Sequence, residues 1–129
     1  MTDPLDDEAV VLRALRRATK TDFRMVTGHR TLSVFESKRT TLPQLLTFVP
    51  HATHAAALRV GAVRALRVPQ PWPSLDVVWE KLVMPDGSDD RRPGAAGHAG
   101  IIDLTTKPVE RVWRDLLVDL ANRDVRTIR

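Results

Sequence analysis

Arg13, Arg16, Arg17 and Lys20 follow one another at i, i+3, i+4 and i+7, with no acid among them. On a helix this spacing places all four on one side. A row of guanidinium and ammonium groups is suited to holding phosphates, since each can neutralise one backbone charge. Arg24, Arg30, Lys38 and Arg39 continue the series, and Arg59, Arg64 and Arg67 extend it. Between positions 9 and 67 these eleven cations meet only Asp22 and Glu36, and no acid lies between Glu36 and Asp76. The opposite bias opens the chain, where Asp3, Asp6, Asp7 and Glu8 crowd the first eight residues. Residues 68–129 are nearly balanced, with nine cations to ten acids. The net charge is +4 and the sequence pI about 10.3. An excess concentrated in one half raises the local potential for a polyanion. The preference for Arg over Lys, sixteen to four, also fits a GC-rich, bacterial-like composition. That composition does not account for the asymmetry along the chain.

Other chemistries are less well supplied. His51 and His54 form an H-x-x-H pair after Pro50, and His29 is a conceivable third ligand. Metal sites need three or four ligands with oriented partners. No carboxylate stands near these histidines in sequence, so they are weak metal candidates and read first as structural. With no cysteine in the chain, thiol catalysis, thiolate metal sites and disulfides are excluded. Ser33, Ser37, His29, Asp22 and Glu36 lie close together, but no nucleophile, phosphate-loop or metalloprotease motif orders them. The stretch GAAGHAG (94–100) is glycine-rich only in composition. Asp86, Asp89 and Asp90 lack calcium-loop spacing. No catalytic residue and no cofactor is assigned. The aromatic residues Phe23, Phe35, Phe48, Trp79 and Trp113 are expected in the core, and Trp72, between prolines, is the one that could meet a partner.

The elements that must position these groups read as mostly helical. Asp6, Asp7 and Glu8 can cap a helix over about 6–19, with Val11, Leu12, Leu15 and Ala18 inward. Residues 22–36 fit either a hairpin around Gly28, at about 23–35, or a short helix. Thr40 or Thr41 with Pro43 opens a helix through Leu45, Leu46 and Phe48. A further helix is expected over about 51–67, with Ala55, Leu58, Ala62, Ala65 and Leu66 on one arc. Ser74 would cap a short helix carrying Leu75, Val78, Trp79 and Leu82. Residues 85–100 read as a flexible loop. Val109, Val112, Trp113, Leu116, Leu117 and Leu120 mark a helix over 107–122, followed by a frayed tail.

Within this reading SVFESKRTTLPQLL (33–46) resembles, in residue types, the stretch that follows the recognition helix of repressor-type helix-turn-helix domains. Ser33, Phe35, Glu36, Lys38, Arg39, Leu42, Leu45 and Leu46 carry the likeness. The glycine usual after the glutamate is missing and the turn is short, so the family is not assigned.

The expectation is one domain over 1–129, mostly α, a bundle of four to six helices with at most one short hairpin. Its expected role is non-enzymatic nucleic-acid binding, with phosphates gripped by Arg13, Arg16, Arg17, Lys20, Arg24, Arg30, Lys38, Arg39, Arg59, Arg64 and Arg67. The alternative is a protein-interaction or assembly subunit, self-associating or within a nucleoprotein complex, docked through its helices. No run of about 20 apolar residues exists to span a membrane. The acidic start resembles neither a secretory signal nor a transit peptide, so a cytoplasmic protein is expected.

Overall fold

A computed structural model describes residues 3–16, 31–67, 75–102 and 110–128. The mostly helical expectation is wrong. Among the described residues the fold is mixed α/β: a six-stranded, wholly antiparallel sheet with three α-helices. In chain order the elements are β1 (Val10–Leu15), β2 (Leu32–Glu36), α1 (Leu42–Phe48), β3 (His54–Arg59), α2 (Val60–Ala65), β4 (Asp76–Trp79), β5 (His98–Ile102), α3 (Glu110–Ala121) and β6 (Val125–Thr127). The spatial order of the strands is β4-β5-β2-β1-β3-β6.

Both faces of this sheet are covered, and successive residues alternate between two apolar clusters. Val11, Val34, Ala56 and Leu58 point to one face, where Val60 and Val63 of α2 and Trp113, Leu117, Val118 and Ala121 of α3 pack on them. Leu12, Phe35, Ala55 and Ala57 point to the other, under Leu42, Leu45 and Phe48 of α1. Register enforces the alternation: Leu12 lies between Phe35 and Ala57, while Val11 pairs with Leu58. A strand buried on both faces loses the apolar-polar alternation that marks strands in sequence.

This is why the helix expected at 6–19 is instead β1, and the helix expected at 51–67 divides into β3 and the short α2. Three consecutive alanines, Ala55–Ala57, look helical by propensity. Their small side chains lie in β3, between β1 and the edge strand β6, where apolar clusters pack on both faces, so packing overrides propensity. The helix expected after Ser74 is β4, its Val77 and Val78 both buried. The end of the expected loop, from His98 onward, is β5. Of the hairpin expected at 23–35, residues 23–30 lie outside the described residues, and residues 32–35 belong to β2, which pairs with β1 and β5. The stretch expected to fray supplies β6, paired with β3.

Two helices lie where sequence put them. Thr41 caps α1 with a reciprocal box: its hydroxyl accepts from the Gln44 N–H, and the Gln44 side chain accepts from the Thr41 N–H, with Pro43 in the first turn. In α3, Trp113 and Leu117 are 1% exposed, as the i, i+4 spacing predicts.

The N-terminal segment shields one sheet edge. The Leu5 N–H donates to the Val77 carbonyl and the Trp79 N–H to the Asp3 carbonyl. At the opposite edge β6 is short and exposed throughout. No helix among the described residues is long and apolar enough to cross a membrane.

Candidate functional site

The fold sorts the expected cations into separate groups. Arg59 and Arg64 stand at the β3–α2 junction, where the acidic N-terminal segment meets them. Arg64 bonds Asp7 at 2.6 Å and Asp76 at 2.7 Å. Burial alone would lower its pKa, but the hydrogen bonds and charges of Asp7 and Asp76 outweigh that and raise it. Arg59 lies 4.0 Å from Glu8 and donates to the Asp7 carbonyl. Arg67 donates to the Arg64 and Leu66 carbonyls at the end of α2, a use of a cation at a helix C-terminus. These three cations serve the fold.

Lys38 and Arg39 occupy the turn after β2. The buried Glu36 side chain accepts from the Lys38 N–H, which holds the turn and leaves both cationic side chains exposed. Arg39 lies over the Trp79 ring, 4.4 Å from its centroid. Arg17, Lys20, Arg24 and Arg30 fall outside the described residues. The chain enters that stretch at Arg16, just past the end of β1, and leaves it at Thr31, just before β2.

Three clefts among the described residues adjoin these side chains. The largest, about 610 Å³, has Arg39, Lys81, Arg91 and Arg92 among its lining, but also Asp3, Glu80, Asp89 and Asp90. Two of its cations are already engaged. Lys81 bonds Asp89 at 2.9 Å. Arg92 makes a forked pair with Asp90, raising the Arg92 pKa and lowering that of Asp90. Arg92 also lies over the Phe48 ring. A second cleft, about 300 Å³, sets Lys38 and Arg39 against Asp6, Glu8 and Glu36. The third, about 220 Å³, is lined by Arg13, Ala14, Arg16, Ser33, Phe35 and Val49. Among the described residues, its charged lining is these two guanidinium groups. It also lies at the end of the sheet where β1 stops and β2 starts. Arg13 is held there by donating from Nη1 to the Ser33 carbonyl at 2.8 Å.

Ser33, on the wall of this third cleft, belongs to a hydrogen-bonded chain that sequence reasoning missed, and the chain leads to His98 and Glu80 in the lining of the largest cleft. The Ser33 Oγ lies 2.5 Å from His98 Nε2, and His98 Nδ1 lies 2.9 Å from the Glu80 carbonyl oxygen. The register that pairs Phe35 with His98 and Ser33 with Gly100 puts these residues on one face. Phe35 meets the imidazole edge-on at 5.1 Å and stacks on Phe48 at 4.9 Å. Ser33 and His98 are 65 residues apart, and nothing in their local sequence links them. Only strand pairing does.

Of the weak metal candidates, His29 lies outside the described residues. His51 is exposed after α1, and His54 starts β3 with Nδ1 2.8 Å from Thr53 Oγ1. No group of three metal-binding side chains stands together among the described residues. The helix expected over about 51–67, one of those through which the alternative would dock, is instead the strand β3 and the short α2, and Trp72 lies outside the described residues.

Compared with known proteins, the chain matches no family model, no curated protein and no solved structure.

Proposed function

We propose that this protein binds nucleic acid, gripping phosphates at the end of the sheet where β1 gives way to β2. The observation that supports this reading is the sorting of charge among the clefts. The two larger clefts hold acids in numbers that match or exceed their cations, so a phosphate there would meet repulsion as well as attraction. Among the described residues, the charged lining of the cleft of Arg13 and Arg16 is cationic. It also adjoins the point where the chain carries Arg17, Lys20, Arg24 and Arg30 against the single acid Asp22.

In this reading Arg16 makes a backbone contact, Arg13 lines the cleft from its bond to the Ser33 carbonyl, and Phe35 offers a partly apolar wall. Lys38 and Arg39 would add weaker contacts. Arg59 and Arg64 contribute little, since acids already pair with them, and Arg67 is not among the residues that line this cleft. Contacts of this kind carry affinity without sequence selectivity and weaken steeply with salt. A cytoplasmic setting goes with such a role.

The test is fluorescence anisotropy with labelled DNA and RNA oligonucleotides, single- and double-stranded, across a salt series. The reading expects binding at low salt that falls linearly on a log–log plot. Absence of binding at low salt with every oligonucleotide defeats it.

A further inference from the structure

Ser33 and His98 carry chemistry that phosphate binding does not require. A carbonyl oxygen can only accept, so the contact with the Glu80 carbonyl assigns the ring hydrogen to His98 Nδ1. In the neutral ring Nε2 then holds a lone pair, and the Ser33 hydroxyl donates into it at 2.5 Å. An alcohol is a poor nucleophile until its proton has somewhere to go; here the acceptor is in place and oriented by a third group. A serine–histidine bond between strands is most often only a cross-strand tie. This pair differs in three respects. Ser33 is exposed and opens into a cleft. That cleft is also lined by Arg13 and Arg16, whose positive charge suits the negative charge that develops on an attacked phosphoryl group. And the imidazole is fixed on both sides, by the Glu80 carbonyl and by the edge-on Phe35 ring.

We propose that Ser33 is a nucleophile toward phosphate esters, with His98 as its general base. The step forms a bond from Ser33 Oγ to phosphorus and breaks the bond from phosphorus to the ester oxygen. His98 Nε2 takes the hydroxyl proton and passes it to the departing alcohol, leaving a phosphoryl group on Ser33. No oxidant, reductant or metal is needed for this balance. The proposal goes beyond nucleic-acid binding, departs from the non-enzymatic expectation, and stands or falls separately from it.

The probe is diisopropyl fluorophosphate, in which the same attack expels fluoride. With the full chain, intact mass and peptide mapping should find one adduct, on Ser33. Ser33→Ala should take none, and His98→Gln should label at least about 100-fold more slowly, the usual contribution of a positioned base. Circular dichroism of both variants checks that they fold. Absence of an adduct on the wild-type chain overturns the proposal, as does labelling spread over Ser37 and Ser88, or a folded His98→Gln protein that labels at the wild-type rate. A second measurement needs no variant. Nitrogen-15 NMR of the wild-type imidazole should show the neutral ring protonated at Nδ1, and a ring protonated at Nε2 instead removes the base.

Discussion

At the scale of single residues, the turn between β4 and β5 offers the most direct checks. The forked bond from Arg92 holds the Asp90 carboxyl below its ordinary pKa, and the Arg92 N–H and charge act in the same direction. The sign follows from linkage: folded Asp90 binds its proton less readily than unfolded Asp90, so the pair favours folding above the ordinary carboxylate value. That contribution is lost as pH falls through the lower folded value. Asp90→Asn should therefore be less stable than wild type near neutral pH, and the gap should close in strong acid. Urea titrations at the two pH values measure it, and a gap independent of pH contradicts the assignment. Two glycines make a sharper pair. A Cβ on Gly97 would fall on Thr40 Oγ1, and Thr40 is fully buried with its hydroxyl donating to the Gly94 carbonyl at 2.6 Å. A Cβ on Gly100 would meet only the far end of the flexible Glu80 side chain. Gly97→Ala should cost about 1–3 kcal/mol, as overpacking does, and Gly100→Ala within about 0.5 kcal/mol. Equal losses in a denaturation experiment would show that Thr40 does not confine Gly97.

At the scale of elements, what sequence made legible is what solvent patterned. α3 keeps a polar face, so Trp113 and Leu117 stand out by their spacing. α1 is announced by Thr41 and Pro43, whose capping chemistry is local. The strands were hidden for the opposite reason. In β1, Val11 and Leu12 are neighbours buried on opposite faces, and Leu15 lies four residues from Val11, which imitates one helical turn. In β3, alanines stand where the helices approach the sheet from both sides. The Arg13–Arg16–Arg17–Lys20 stripe rested on a helix, and β1 removes that geometry: Arg13 and Arg16 remain together because both line the cleft at the end of β1. Ser33 and His98 left no signal at all, since their link exists only through the pairing of β2 with β5. The core that holds these strands can be probed through α3. Trp113 is almost wholly buried against the sheet, so Trp113→Ala should cost about 3–5 kcal/mol, measured as a shift in the urea midpoint. A loss under about 1 kcal/mol would mean that α3 does not close that face.

At the scale of the whole molecule, folding redistributes a charge pattern that is lopsided in sequence. The acidic N-terminal segment lies along β4 and reaches the β3–α2 junction, where Asp7 and Glu8 meet Arg64 and Arg59. Two of the eleven cations of the central segment are thereby engaged by acids. In the proposed reading, the face offered to a polyanion lies at one end of the sheet, around Arg13 and Arg16. Polarity of that kind orients a polyanion, whereas the same charges spread evenly would only attract it. The measurement that tests this most directly is a salt series of nucleic-acid affinity for wild type, Arg16→Glu and Arg67→Gln. The account predicts that Arg16→Glu weakens binding and lowers the salt slope by about 1, the loss of one phosphate contact, while Arg67→Gln leaves both unchanged. Equal effects of the two substitutions, or no effect of Arg16→Glu, would contradict it.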